Sequence, residues 1–403
     1  MTTLIQTYQR LLDEVKPTYY RQFYRSFTMD GRFIGVVGAR GVGKTTFLLQ
    51  YLREQYGDSE KGLYISADHL YFSDHTLLET ADSFVKYHGG ELLCIDEIHK
   101  YKNWNQELKN IYDSFPHLKV IFSGSSSIDL IKGKYDLSRR VILHQMHGFA
   151  FREYLELQTG TTYPIITPDE IFASSFKIPS IIRQTDKLLG HLHEYWQKGY
   201  YPTAQTLPTQ DAFYQTIVNS IDKTIYEDIT SHYALKTENL DALKKLIYFF
   251  ATSEPGSVSI NKLAQTIGKD HATITEYVQI MRDTGLLRFL LNDKYGHALV
   301  RNAEKIYLNN TNLLYAVNHT IGKNTHLGSV RELFAISSLE DAGLAVQYSK
   351  TGDIITNGYT LEVGGLRKSK SQVKNHKRAF VMKDDILFSS ANIRPLYLLG
   401  FLS

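Results

Sequence analysis

Two short runs of this chain carry residue types suited to phosphate chemistry. The first is Gly38-Ala-Arg-Gly-Val-Gly-Lys-Thr45, a complete G-x-x-x-x-G-K-T pattern. Its glycines let the backbone curl so that several N–H groups point at one anion, and a helix start behind it adds partial positive charge. Gly38, Ala39, Arg40, Gly41, Val42, Gly43, Lys44, Thr45 and Thr46 form the candidate cradle. Lys44 is placed to reach the β- and γ-phosphates, and the Thr45 hydroxyl to bind Mg²⁺. The second run is Glu91-Leu-Leu-Cys-Ile-Asp-Glu97, which ends in two carboxylates. Asp96 is the candidate Mg²⁺ holder, directly or through water, and Glu97 the candidate base that polarises a water against the γ-phosphate. Ser123, after the apolar run Val120-Ile-Phe122, offers a hydroxyl to sense the γ-phosphate or orient that water. Arg140 is the candidate finger for transition-state charge, acting in cis or from a neighbouring subunit.

These groups need rigid elements to aim them. Phe33-Ile-Gly-Val-Val37 reads as a buried strand before the glycine loop, and Thr46-Phe-Leu-Leu-Gln-Tyr-Leu52 as a helix after it. Leu63-Tyr-Ile-Ser-Ala67 supplies an intervening strand. The Leu92–Ile95 and Val120–Phe122 runs supply two more, each delivering its polar residues to the open end of a parallel sheet. The Asp-Glu pair narrows the reaction. A small-molecule kinase does not ordinarily place a base for water beside the metal aspartate. A GTPase would need an N-K-x-D loop, which Asn261-Lys-Leu-Ala264 does not complete. ATP and Mg²⁺ are the expected ligands, and ATP hydrolysis the expected reaction.

At 403 residues the chain is too long for one ordinary core, and its 43% apolar and 22% charged content fits a soluble globular protein. No apolar run reaches the length of a membrane span, and the first ten residues lack the pattern of a signal peptide. They read instead as an amphipathic helix with Leu4, Leu11 and Leu12 on one side. The single cysteine, Cys94, excludes an internal disulfide, suits a packing role and fits a reducing cytoplasm. A net charge of +3 names no partner.

The segments Gly38–Thr46, Leu63–Ala67, Ile95-Asp-Glu-Ile-His99, Ser123-Gly-Ser-Ser126 and Leu137-Ser-Arg-Arg-Val141 together resemble prokaryotic AAA-superfamily ATPases. Those proteins carry a C-terminal domain of unknown function with a restriction-endonuclease-like fold. Gly148-Phe-Ala-Phe-Arg-Glu-Tyr-Leu155 is similar to the segment that closes their ATPase core, and Arg140 matches their G-R arginine, with Arg139 in place of the glycine. Tyr200-Tyr-Pro202 after Lys198-Gly199 is similar to their G-G-Y-P turn. The resemblance implies that Gly328-Ser-Val-Arg-Glu332 opens a helix of the nuclease fold. It also implies that Asp353 and Thr360-Leu-Glu-Val-Gly364 form the paired strands that read D…E-x-K in active relatives. The lysine position is Gly364 here. That departure predicts an inactive module unless Lys368 or Lys370 takes over the role.

Between these ends, residues 165–240 are helical in pattern, and Ile221–Ile229 reads as an amphipathic lid helix. His144/His147 and His191/His193 lack a third ligand at fixed spacing and read as ordinary histidines. Ser257–Gly268 followed by Ala272–Leu287 reads as helix–turn–helix with a wing-like hairpin after it. Its second helix offers His271, Thr273, Thr275, Gln279 and Arg282 either to DNA or to a protein surface. The acid-free run Arg367–Arg378 tracks a nucleic-acid backbone, anchors an acidic partner, or is a solvated face. Arg394–Leu402 reads as a buried closing strand.

The expected fold is α/β: a P-loop parallel sheet with helices on both faces over residues 1–160 and a helical lid region over 161–240. A winged helix follows over 241–302, then a small α/β nuclease-like domain over 303–403. The expected function is an ATP-driven switch in the cytoplasm whose C-terminal half recognises a partner. The alternatives are a nucleic-acid-binding regulator or nuclease licensed by ATP, and a protein-interaction switch that binds ATP with little turnover. ATP, an unidentified protein, nucleic acid and further copies of the chain are the candidate partners, with no membrane.

Overall fold

The computed structural model describes residues 1–15, 19–124, 137, 139–233, 235–254, 259–292, 303–368 and 378–403. The chain forms two compact units, Met1–Gly148 and Phe149–Ser403. The helix Phe151–Thr159, read from the sequence as closing the first domain, packs inside the second unit, against the terminal turn Leu396–Phe401.

The first unit is an all-parallel sheet with strand order β2-β3-β4-β1-β5. Its strands are β1 Phe33–Val37, β2 Gly62–Ser66, β3 Leu92–Asp96, β4 Lys119–Gly124 and β5 Val141–Gln145. The three inner strands are buried along nearly their whole length, which is why they read as continuous apolar runs. Each fully buried Leu, Ile, Val or Phe there contributes about 1.5–3 kcal/mol of hydrophobic free energy. Helices α1 Thr2–Glu14, α2 Gln22–Ser26, α3 Lys44–Tyr56, α4 Leu77–His88 and α5 Trp104–Ser114 complete the described part of the unit. α1 buries Leu4, Tyr8 and Leu12; Leu11, expected on that face, is only half-buried. Arg53 donates to the Leu12 and Val15 carbonyls at 2.6 and 3.0 Å, ending α1 on α3. α4 starts on a reciprocal capping box, Thr76 with Glu79, and stops at Gly89 in the left-handed region. Cys94 is buried mid-strand, as its apolar neighbours predict, and burial pushes its thiol far up.

The second unit is built on a mixed seven-stranded sheet of order β12-β11-β10-β9-β8-β6-β7. The strands are β6 Leu287–Leu291, β7 Ala303–Leu308, β8 Gln347–Tyr348, β9 Ile354–Thr356, β10 Tyr359–Gly364, β11 Ala379–Lys383 and β12 Ile393–Pro395. Helices Ile260–Ile267 and His271–Asp283 flank Gly268, whose φ of 75° makes the sharp turn. The antiparallel pair β6–β7 that follows them is not a separate wing. β6 also pairs with β8, so the hairpin is the edge of the large sheet. The closing strand is short: β12 gives way to a buried 3-10 turn, Leu396–Phe401. Arg152 donates to the Ser403 carbonyl at 2.8 Å, tying down the C-terminus. The expected lid helix continues Gln210–Lys223 through a π turn, Thr224–Asp228, and packs within this unit against Thr311–Thr320 and Thr237–Thr252. Asn312, fully buried, accepts from Tyr200 N–H and donates to the Tyr195 and Trp196 carbonyls, so both polar atoms of its side-chain amide are engaged. No helix among the described residues is long and apolar enough to cross a membrane.

Candidate functional site

β1 feeds the glycine loop and α3 leaves it, so residues 38–46 sit at the carboxyl end of the sheet. Gly41 and Gly43 have φ of 82° and 98°, backbone that a side chain disfavours. Gly38 is required for another reason: a Cβ there would lie 2.2 Å from the Met146 carbonyl oxygen. Lys44 is buried and donates to the Gly38 and Ala39 carbonyls at 2.9 and 3.0 Å, folding its ammonium across the loop. Arg21, which no motif pointed to, braces the loop from outside. It donates to the Val42, His147 and Gly148 carbonyls at 2.7, 3.0 and 2.6 Å. A tight glycine loop with an ammonium across it and no room for a side chain at its first glycine fits a phosphate chain.

β3 and β4 deliver the carboxylates beside it. Ser66 pairs with Asp96 across β2–β3, and Ile95 with Phe122 across β3–β4, so Asp96 and Ser123 emerge side by side. Thr45 Oγ1 donates to Asp96 Oδ2 at 2.5 Å, which joins the loop to the strand end. Tyr64, one pleat back on β2, donates to the same oxygen at 2.9 Å. Asp96 Oδ1 accepts from the Ser123 hydroxyl and, at 3.1 Å, from the Glu97 N–H. Burial, then the Asp96 charge, push the Tyr64 phenol far up, so it remains a donor. Ser123 is fully buried and engaged with Asp96 and with the Glu97 N–H at 3.2 Å; its hydroxyl braces the two acidic residues. Glu97 has φ of 50°, a left-handed backbone held by those bonds, and its Oε2 lies 3.4 Å from Nε2 of the buried His99. The donor set at Thr45 and Asp96, oxygens only with one full negative charge, fits Mg²⁺.

Lys44, Thr45, Asp96, Glu97 and Ser123 are thus brought together with the loop. Arg140 is not. It precedes β5, whose first residue pairs with Phe33 at the start of β1, so it lies at the amino end of the sheet. Five residues of strand, about 16 Å, separate that edge from the loop. There Arg140 bonds Asp113 at 3.2 Å. Within its own chain it stands away from the cradle.

The second unit holds a separate cluster at the carboxyl end of β10. Glu332, on the helix Leu327–Asp341, accepts from Lys305 at 2.7 Å and Tyr307 at 2.6 Å. Asp353, before β9, lies 3.9 Å from Lys305 and 4.0 Å from Lys368. Lys368 is also 3.4 Å from Glu362 Oε1, while Glu362 Oε2 is buried without a hydrogen-bond partner among the described residues. Burial, then Glu332, raise the Asp353 carboxyl above its ordinary value. The lysine missing at Gly364 therefore returns four residues later in sequence, curled back onto the same carboxylate; Lys370 lies outside the described residues. Across Gly364-Gly365 sits a third group. His193 Nε2 lies 3.3 Å from Asp384 and 3.6 Å from Asp385, and Arg331 bonds Asp384 at 2.7 Å. His193, paired with no third ligand by spacing, finds these aspartates only because β11 ends beside it. Arg331 already offsets part of their charge. The basic run lies mostly in residues 369–377, outside the described residues.

Comparison with known proteins agrees with the first unit's geometry. Residues 30–155 match the AAA domain family, and residues 189–325 match a domain of unknown function, DUF8612. The uncharacterized protein MJ1637 of Methanocaldococcus jannaschii is 26% identical over 383 residues, spanning 87% of this chain and 79% of the relative. Among solved structures, AMPPCP-bound DnaA from Aquifex aeolicus is 15% identical with a TM-score of 0.25, over 69% of this chain and 86% of that one. The S. cerevisiae Hsp104–ADP complex is 12% identical with a TM-score of 0.31, over 68% of this chain and 39% of that one. At these scores neither structure bears on function. The match to the AAA domain over residues 30–155 takes in the complete phosphate loop and supports nucleotide binding by that segment.

Proposed function

We propose that the chain is a Mg²⁺-dependent ATPase acting as a nucleotide-driven switch, with its C-terminal half recognising a partner. One observation carries the hydrolytic part. The Thr45–Asp96 bond closes the loop onto a strand end that also presents Glu97, so metal holder and candidate base share one backbone step. In this reading Lys44 and the loop N–H groups bind the β- and γ-phosphates, Thr45 binds the ion with the Asp96 carboxylate behind its hydroxyl, and Glu97 orients and deprotonates the attacking water. Mg²⁺ would supply positive charge to the phosphate oxygens. Ser123 keeps Asp96 and Glu97 in register. Arg140 acts in trans, on the cradle of a neighbouring copy, because in its own chain it faces away; that makes the working form a homo-oligomer in the cytoplasm. Glu97→Gln tests the base. Turnover should fall about 10²–10⁴-fold with ATP still bound; unchanged turnover removes Glu97 from the role.

A second reading is favoured by Lys368. Three carboxylates, Glu332, Asp353 and Glu362, face two lysines, and one buried carboxylate oxygen has no hydrogen-bond partner. That set fits a divalent cation, with Lys368 steadying water, as in metal-dependent phosphodiester cleavage. In this reading ATP licenses an action on nucleic acid, with His271–Asp283 as a second contact. Cleavage of DNA with Mg²⁺ or Mn²⁺, lost in Glu362→Gln, would support it. No cleavage and no salt-dependent DNA binding would leave the partner of the switch a protein.

A further inference from the structure

Asp96 receives more donors than the two nucleotide signatures supply. The Thr45 hydroxyl comes from the phosphate loop, and Ser123 and the Glu97 N–H from the adjoining strand ends. The fourth donor, the Tyr64 hydroxyl at 2.9 Å on Oδ2, comes from the edge strand β2, which carries no nucleotide motif. Tyr64 and Cys94 pair across β2–β3, and Asp96 lies one pleat beyond Cys94 on the same face. The phenol therefore reaches forward over Cys94 to the carboxylate, and the side chain is buried along its length.

We propose that Tyr64 is a positioning residue for the metal. It fixes Asp96 so that the carboxylate acts on Mg²⁺ through the Thr45 hydroxyl and is not itself a ligand. An ionised carboxylate has about four lone-pair directions. Four donors fill them, two on each oxygen, leaving none for an ion. Thr45 spends its proton on Asp96, which leaves its oxygen lone pairs for the ion. Among the described residues no lysine or arginine pairs with Asp96, so its charge stays undivided and close to the cation while its geometry is set by neutral groups. Without the phenol, Oδ2 retains Thr45 alone, the carboxylate rotates more freely, and the Thr45 oxygen is no longer held in one direction.

The proposal rests on the nucleotide-binding reading, and the experiment separates the two. Full-length protein and Tyr64→Phe, which keeps the ring and its packing, are titrated with a fluorescent ATP analogue in EDTA and then with Mg²⁺. Affinity in EDTA should agree within about twofold, while half-saturating Mg²⁺ rises about tenfold or more, as expected for losing one hydrogen bond to a charged group. In wild-type protein labelled with ¹³C-carboxyl aspartate, Mn²⁺ bound with ADP should show no direct coupling to an aspartate carboxylate by electron–nuclear double resonance. Direct coupling overturns the proposal. So does an unchanged Mg²⁺ requirement in Tyr64→Phe. Should that variant fold poorly, 3-fluorotyrosine at position 64 reads the same contact: its ¹⁹F signal should move on Mg²⁺·ADP and hold still on ADP in EDTA, and the reverse counts against the role. Wild-type protein that binds no nucleotide removes the ATPase reading, and this proposal with it.

Discussion

Asp96 in the first unit and Glu362 in the second are buried carboxylates near the ends of strands, Glu362 with the half-buried Asp353 beside it, but their surroundings differ in kind. Asp96 is surrounded by hydroxyls and one backbone N–H. Asp353 and Glu362 are approached by the ammonium groups of Lys305 and Lys368 at 3.4–4.0 Å. Neutral donors orient a carboxylate and leave its charge for something else to meet. Lysines meet the charge themselves. The first arrangement calls for a cation from solution; the second is nearly balanced already and leaves one oxygen unsatisfied. The contrast teaches that counting acids is a poor guide to a metal site, and that the identity of their donors says more.

The largest effect expected from this contrast is at Asp96. Asp96→Asn keeps a planar acceptor for the donors around it, and the hydroxyls of Thr45, Tyr64 and Ser123 can turn to accept from the new amide. The fold should survive while the charge is gone. ATP turnover should fall on the order of a thousandfold, with a circular-dichroism spectrum and unfolding temperature close to wild type. A variant that keeps turnover would show that the charge was not needed, and the comparison would collapse.

Lys368→Met should act the other way, on stability. It leaves the buried Glu362 carboxylate without its nearest cation, which costs about 1–3 kcal/mol, read as an earlier denaturant midpoint of the second unit. Nucleotide affinity should not change. If stability also stays put, the ammonium contact is incidental, and the lysine-balanced half of the contrast fails.

Asp353→Asn should be smaller and of opposite sign. The carboxyl is held above its ordinary value by burial first and Glu332 second, so its charge is carried at a cost. The amide oxygen can still accept the Val363 N–H, now at 2.7 Å. A gain of about 0.5–1 kcal/mol is expected at neutral pH. A loss would mean that the lysines more than repay the burial.

The first unit was legible because each of its chemical residues ends a buried strand or opens a helix, and both leave strong local patterns. Gly38–Thr45, Asp96 and Ser123 fell where the apolar runs stop. Tyr64 and Arg21 were invisible because Tyr64's partner is 32 residues away and those of Arg21 are 21, 126 and 127 away, and a strand tyrosine looks like packing. Ser123 was found from the strand end, but its bonds to Asp96 and the Glu97 N–H follow from the register of β4 with β3, which no local pattern shows. In the second unit the helix–turn–helix was clear from Gly268 and its apolar faces. Its supposed wing was not, since whether a hairpin stands alone or joins a sheet depends on β8, a strand of two residues with no pattern of its own. Lys368 was recoverable only as a possibility, because the turn that brings it back follows two glycines.

The smallest effect concerns the cluster across Gly364-Gly365, where charge is balanced by a titratable group. The hydrogen bond that His193 donates to Asp384 raises the histidine above its usual value; burial opposes this, Asp385 adds to it, and Arg331 subtracts. On Asp384 burial works upward, but the bonds to His193 and Arg331 prevail and hold its carboxyl below the ordinary range. A histidine raised in the folded state binds its proton more tightly there than when unfolded. Its stabilising contribution is complete below about pH 6.5 and is lost as pH rises through the higher folded value. Asp384 does not share this window, since its contribution is present above about pH 4 and is lost only in acid. Between pH 6 and 8.5 the second unit of the wild type should therefore lose stability relative to His193→Gln, whose side chain does not titrate. The difference should be small, because His193 is 43% exposed and its pair is screened. Parallel melting curves of the two proteins across that range would mean that Arg331 alone balances the aspartates. The cluster would then resemble the lysine-held site beside it, with a fixed cation and no dependence on pH.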